Sequence, residues 1–69
     1  MTLRELRDAR SYSQNEVAAA TGVTAQAVSS WERGESSPRP AQVRKLAELF
    51  KLTIEQIREV IRSSGGNPN

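Results

Sequence analysis

The side chains best suited to chemistry in this sequence are short polar groups in the stretch TGVTAQAVSSWERG, residues 21 to 34: Gln26, Ser29, Ser30 and Arg33. If this stretch is a helix, at about 100° per residue, these positions fall within about 100° of one another, opposite Val28 and Trp31. Their amide, hydroxyl and guanidinium groups form directional hydrogen bonds. Taken alone, the pattern favours an ordinary solvated helix face, and a binding surface is the alternative.

The composition excludes most catalytic chemistry. The chain has 69 residues and contains neither cysteine nor histidine. Disulfides, thiolate or histidine zinc sites and histidine-based acid–base catalysis are therefore ruled out. A single aspartate and the lack of a glycine-rich phosphate loop leave no pairing of a nucleophile with a base. We expect no enzyme, no cofactor and no metal.

Length and charge set the class of protein. Sixty-nine residues make one small domain. Ten Lys and Arg against eight Asp and Glu give a net charge of +2, which permits nucleic-acid binding without demonstrating it. No apolar run approaches the roughly 20 residues of a membrane span, and no signal peptide opens the chain. We expect no membrane association and a cytoplasmic location in a bacterium or phage host.

The starts of helices are marked by local capping signals. TLRE, SQNE and TIEQ, which begin at residues 2, 13 and 53, match the capping box. Thr24 is a good N-cap, and Pro40 suits a first helical position. The predicted helices lie near residues 3–10, 14–20, 25–32, 40–50 and 54–62. Nothing resembles a strand, so the predicted fold is all-α: a compact five-helix bundle over 1–62, followed by 63–69 as a disordered tail or the start of a linker.

Helical spacing also predicts the core. The apolar positions on one side of each helix are Leu3, Leu6, Val17, Ala18, Val28, Trp31, Val43, Leu46, Ala47, Phe50, Ile54, Ile57 and Ile61. Between the second and third helices, Gly22 stands where a helix ending in a left-handed residue favours glycine. Val23 is the apolar residue of the turn, and Thr24 starts the next helix only two residues after the glycine. This spacing is the helix-turn-helix pattern.

Residues 3 to about 57 resemble the lambda-repressor-like, Cro-type helix-turn-helix domains, also called the xenobiotic-response-element family. The matching positions are Leu6, Arg7, SQNEVA at 13–18, Gly22, Val23, Thr24, Val28, WERG at 31–34, Pro38 and the Leu46–Ala47 pair. Thr21 and Tyr12 depart from the family, which more often has aliphatic residues there. The resemblance implies a sequence-specific regulator of transcription, most often a repressor, that binds a near-palindromic double-stranded DNA operator as a homodimer.

Beside this resemblance, the polar surface of the third helix gains a purpose. A helix in the major groove needs short side chains that reach base edges. Glutamine can pair with adenine, an alanine methyl can meet a thymine methyl, and serine can bond to several bases. In the family, the positions matching Ala25, Gln26 and Ser30 contact bases, and Ser29 shares their side of the helix. We expect these four residues to contact DNA bases.

Phosphate contacts are expected beside that helix. The family residue that matches Gln14 holds a backbone phosphate, and Gln14 opens a helix whose free N–H groups favour an anion. A surface residue without a role is the alternative. Ser13 and Thr24 are expected first as caps and also as phosphate contacts. Three arginines could each neutralise a phosphate, and the alternative is that each is an ordinary solubilising charge: Arg10, Arg33 and Arg39.

The resemblance also implies an ion pair between Arg7 of the first helix and Glu32 of WERG. A different class of function stays open, because antitoxin-type and coactivator-type members of this fold family bind proteins. The apolar fifth helix offers such a surface, with Val60 and Ile61 as candidates for a dimer contact. The sequence is compatible with a complete small regulator and with the amino-terminal domain of a larger one.

Overall fold

A computed structural model of the protein describes residues 1–65, which form five helices. They are α1 (Leu3–Ala9), α2 (Gln14–Thr21), α3 (Ala25–Arg33), α4 (Pro40–Phe50) and α5 (Ile54–Gly65). No strand occurs within this described range. The all-α, five-helix prediction is confirmed, and every helix begins at the predicted residue.

Local capping explains why the helix starts were predictable. The Thr2 hydroxyl accepts a hydrogen bond from the Glu5 N–H at 3.1 Å, and the Glu5 carboxylate accepts one from the Thr2 N–H at 2.8 Å. Ser13 with Glu16, and Thr53 with Gln56, repeat this reciprocal arrangement. Each box satisfies two N–H groups that the helix itself leaves free.

The core lies where the five helices meet. Helix α5 packs against α1, α3 and α4, and α2 packs against α3 and α4. The buried apolar residues are Leu3, Leu6, Val17, Ala18, Val28, Trp31, Val43, Leu46, Ala47, Phe50, Ile57 and Val60. All but one of them belong to the predicted set; the addition is Val60.

Helix α5 is rotated relative to the predicted core face. Ile54 is 40% exposed, Ile61 is half-buried, and Val60 is 7% exposed and part of the core. The reason is that the stripe turned inward is Ile57, Val60 and Ser64, spaced by three and four residues, of which Ser64 bonds to Leu3 of α1. Two predictions are therefore corrected: Ile54 does not belong to the core, and Val60 is not free for a dimer contact.

The end of α5 also differs from the prediction. The helix continues to Gly65 rather than ending at residue 62. The Ser64 hydroxyl donates to the Val60 carbonyl at 2.9 Å and accepts from the Leu3 N–H at 2.6 Å. This contact ties α5 to the free N–H groups at the start of α1. Residues 63–65 of the predicted tail are thus helical, and 66–69 lie outside the described residues.

Candidate nucleic-acid interface

The corner between α2 and α3 is built from a left-handed glycine and a cap. Gly22 has φ of +76° at the end of α2, and the Val23 N–H donates to the Ala18 carbonyl at 3.0 Å. Thr24 then caps α3, its hydroxyl accepting from the Ala27 N–H at 3.1 Å. Thr21, which departs from the family pattern, is buried, and its hydroxyl donates to the Val17 carbonyl at 2.8 Å. A polar residue is tolerated there because its hydroxyl is bonded.

The polar side of α3 faces away from the core. Val28 and Trp31 are buried. Gln26 is exposed, and Ser29 and Ser30 are half-buried. Ala25 is half-buried and packs against the core, so only part of its surface is accessible to a ligand. The surface therefore presents one exposed amide and two hydroxyl groups.

A bonded ion pair lies beneath this surface. Arg7 Nε donates to Glu32 Oε2 at 2.6 Å, and Arg7 Nη2 donates to Glu32 Oε1 at 3.3 Å. The Arg7 side chain is 12% exposed and that of Glu32 is 6% exposed. Arg7 Nη1 also donates to the Tyr12 carbonyl at 2.9 Å. The Glu32 hydrogen bonds raise the pKa of Arg7. The ion pair implied by the resemblance is thus present, and it joins α1 to α3.

Gln14 is part of the same network. Its Nε2 group donates to Glu32 Oε1 at 3.0 Å. An amide nitrogen has two hydrogens, so this contact uses one and leaves the second for another acceptor. Glu32 therefore fixes which way the Gln14 amide points at the N-terminus of α2.

Arg33 is engaged at the other end of α3. Its Nε and Nη2 groups donate to the two carboxylate oxygens of Glu35, both at 3.0 Å, and Nη1 donates to the Ser29 hydroxyl. The hydrogen bonds from Arg33 lower the pKa of Glu35, and Glu35 raises the pKa of Arg33. Arg33 is therefore not a free cation in this structure.

The two remaining arginines have different surroundings. Arg10 Nη1 donates to the Phe50 carbonyl at 2.7 Å, and its guanidinium lies 6.0 Å from the centre of the Phe50 ring. A cation at this position satisfies the C-terminal end of α4. Arg39 is exposed just before α4, where its N–H donates to Gln42 Oε1 at 2.8 Å. The structure gives Arg10 a structural partner and leaves the Arg39 side chain accessible.

A polar cavity of about 360 Å³ brings several predicted residues together at α1, α2 and α3. It is lined by Arg4, Arg7, Gln14, Ser29, Glu32 and Arg33. Arg10 and Arg39 are not among its lining residues. Arg4 was missed by sequence reasoning, although its position three residues before Arg7 places both on the same side of α1. Glu35 was missed as well, because no spacing rule identifies a loop residue as the partner of Arg33.

Two further findings concern only the part of the chain that the structure describes. Within residues 1–65, every helix is too short or too polar to cross a membrane. The same residues hold no group of three or more acidic, cysteine or histidine side chains placed to share a metal ion.

Residues 3–57 match the helix-turn-helix family, and the chain belongs to this Cro-type family of all-α domains. The HTH-type transcriptional repressor RghR of Bacillus subtilis (strain 168) is 41% identical over 54 residues, which is 77% of this chain and 40% of RghR. The uncharacterized HTH-type transcriptional regulator RghRB of the same strain is 38% identical over 56 residues, 80% of this chain and 40% of RghRB. The chain thus spans two fifths of each relative. No solved structure gives a significant match.

Proposed function

We propose that this chain is a sequence-specific double-stranded DNA-binding domain of a transcriptional repressor, and that α3 enters the major groove. One observation carries the proposal: α3 presents short polar side chains away from the core, on a corner fixed by Gly22 and Thr24. Membership of the helix-turn-helix family supports it, and so do two relatives named as an HTH-type transcriptional regulator and an HTH-type transcriptional repressor. A recognition helix requires short side chains and a fixed orientation relative to the preceding helix.

Base contacts come from the exposed side of α3. Gln26 is exposed there, and its amide can donate to N7 and accept from N6 of one adenine. Ser29 and Ser30 contribute hydroxyl groups on either side of it. Ala25, whose methyl is partly covered by the core, makes a smaller apolar contact with a thymine methyl.

Phosphate contacts flank α3 at the polar cavity. Gln14, oriented by Glu32, gives its second amide hydrogen to a phosphate at the N-terminus of α2, where the helix dipole favours an anion. Arg4 supplies a cation at the same cavity. The caps Ser13 and Thr24 lie at the N-termini of α2 and α3 and can each meet a phosphate oxygen. Arg39 supplies an exposed charge. Arg10, at the end of α1, remains bonded to the Phe50 carbonyl of α4 and is not proposed as a phosphate contact.

The operator is bound by two copies of the chain. A single domain with a net charge of +2 gains little from nonspecific phosphate attraction, and linking two half-sites raises affinity without new base contacts. Because Val60 is buried, the apolar residues left for this contact on α5 are the exposed Ile54 and the half-buried Ile61. Sedimentation velocity with duplexes carrying one or two half-sites tests the dimer. We expect the two-site duplex to bind two chains cooperatively, and independent binding would contradict the dimer.

Selection from a random duplex pool at near-physiological salt tests the function itself. We expect enrichment of a near-palindromic motif whose half-sites lie about ten base pairs apart. Enrichment of a motif without a repeated half-site would support DNA binding and contradict the dimer. A pool that shows no enrichment would contradict the proposal and favour the protein-interaction alternative, for which the exposed Ile54 and Ile61 surface is available.

A further inference from the structure

The end of α3 is closed by a second ion pair that the proposed function does not use. Arg33 holds both carboxylate oxygens of Glu35 through a two-pronged contact at 3.0 Å and 3.0 Å. Its third nitrogen donates to the Ser29 hydroxyl. The whole guanidinium is thereby folded back along α3, over a residue of the proposed DNA surface.

The backbone holds Glu35 in place for this contact. Gly34 adopts φ of +75° and ends α3, and the Glu35 N–H donates to the Ser30 carbonyl at 2.9 Å. This left-handed turn returns the chain over the last turn of α3. This helix ending places the Glu35 carboxylate opposite Arg33. Because the turn already fixes the backbone of Glu35, forming the pair costs little further backbone entropy.

The pair changes the charge that α3 presents. Arg33 is the only cationic residue in the α3 sequence AQAVSSWER, and the carboxylate of Glu32 is already neutralised by Arg7. With Glu35 bound to Arg33, the accessible side of α3 carries hydroxyl and amide groups in place of a free guanidinium. The lowered pKa of Glu35 keeps its carboxylate ionised at neutral pH.

We propose that Glu35 limits the general affinity of the chain for DNA, because it withholds Arg33 from DNA phosphates. This inference rests on the proposed function, because it assumes that α3 faces DNA. A phosphate contact adds affinity equally on every sequence, whereas contacts to base edges differ between sequences. Withholding one cation therefore lowers the affinity for the operator and for random duplex by the same factor.

The magnitude is limited by the exposure of the pair. The Arg33 and Glu35 side chains are 50% and 60% exposed, and exposed pairs are weak. Releasing Arg33 should consequently tighten binding to random duplex by roughly two- to fivefold, with one additional phosphate contact. An effect of a hundredfold is not expected from a contact of this kind.

The test compares Glu35→Gln with Glu59→Gln. Glu59 also pairs with an exposed arginine, Arg62, but on α5, so the two variants change the net charge and one exposed ion pair alike. Dissociation constants are measured on the selected operator and on random duplex at several salt concentrations. We expect Glu35→Gln to tighten random-duplex binding two- to fivefold beyond Glu59→Gln, and to steepen the salt dependence by about one unit of log K against log salt. Operator binding should tighten by the same factor, so the ratio of operator to random affinity should not change.

Combining Glu35→Gln with Arg33→Gln gives a double-mutant cycle. In the Arg33→Gln background, Glu35→Gln should give no gain, because there is no guanidinium left to release. In the protein without DNA, the Arg33 Nε–H resonance should show slowed exchange that Glu35→Gln abolishes.

Three results would overturn the inference: equal effects of Glu35→Gln and Glu59→Gln, a gain that survives Arg33→Gln, or an unprotected Arg33 Nε–H in the unaltered chain. Failure of the proposed function itself is recognised separately. In that case the unaltered chain shows no preference for any duplex, whatever the state of the Arg33 resonance.

Discussion

Glu32 is a nearly buried charged residue beneath the proposed DNA interface. Its side chain is 6% exposed, and it accepts hydrogen bonds from Arg7 and Gln14. A buried carboxylate is tolerated only when it is paired and bonded, since removing one partner leaves an uncompensated charge. Glu32 thereby links the stability of the fold to the orientation of a residue at the proposed DNA surface.

Removing Arg7 should therefore unfold the protein at milder conditions. We expect Arg7→Ala to lower the free energy of unfolding by about 3–5 kcal/mol, the cost of leaving a buried carboxylate unpaired. Arg4→Ala is the matched control, because Arg4 lies on the same helix with a mostly exposed side chain, 3.9 Å from Asp8. Its effect should be within about 0.5 kcal/mol. Urea denaturation of both variants gives the comparison, and equal losses would show that the Arg7–Glu32 pair does not stabilise the fold.

Glu5 makes one contribution to stability dependent on pH. The Thr2 N–H donates to its carboxylate and lowers the pKa of Glu5 below 4.5. Because the unfolded chain then binds this proton first, the contribution is present above about pH 4.5 and is lost as the pH falls through the lowered pKa. Glu5→Gln keeps an acceptor oxygen without a titrating group. Melting temperatures between pH 3 and 7 should fall less steeply for this variant than for Glu48→Gln, and parallel curves would contradict the assignment.

At the scale of elements, the helix starts and the corner were predictable because their signals are local. The Thr2 and Ser13 boxes each act across three residues, and Gly22 acts within one turn. The rotation of α5 was not predictable, because Ile54 and Val60 both lie at the edge of its apolar side. The angle at which α5 docks decides which of the two is buried. The Arg33–Glu35 pair likewise depends on the left-handed turn at Gly34, which spacing alone does not reveal.

The end of α4 carries a residue in a costly conformation. Lys51 adopts φ of +58°. In this left-handed conformation the Cβ atom lies too close to a carbonyl oxygen of the backbone, and glycine avoids the clash because it has no Cβ. Lys51→Gly should raise the free energy of unfolding by roughly 0.5–1 kcal/mol, after allowing for the greater freedom of glycine in the unfolded chain. Lys45→Gly, the same change inside α4, should lower it by about 1 kcal/mol. Thermal denaturation gives both signs, and a loss at Lys51 would contradict the expected relief.

For the molecule as a whole, the two ends of the described chain meet. Ser64 in α5 accepts from the Leu3 N–H, a contact between residues 61 positions apart. Sequence patterns of short range could not show it, so the prediction ended the domain at residue 62. The contact closes the bundle by satisfying an N–H group that α1 leaves free.

Removing the Ser64 hydroxyl should loosen this closure. We expect Ser64→Ala to lower the free energy of unfolding by about 1 kcal/mol, because a half-buried N–H loses its partner. The neighbouring Ser63 is exposed, and Ser63→Ala should change stability by less than about 0.5 kcal/mol. Chemical denaturation decides between them. If the two variants have the same stability, the end of α5 does not hold α1.

The proposal that α3 distinguishes DNA bases is tested most directly by measuring Gln26→Ala on the selected operator and on every single-base variant of it. We expect a loss of about 1–3 kcal/mol on the operator and relaxed discrimination at one base pair in each half-site, with the other positions unchanged. Gln14→Ala, at the proposed phosphate contact, should weaken all of these duplexes alike. If Gln26→Ala instead weakens every duplex equally, as Gln14→Ala does, α3 does not contact bases through Gln26 and the proposed division between base and phosphate contacts is wrong.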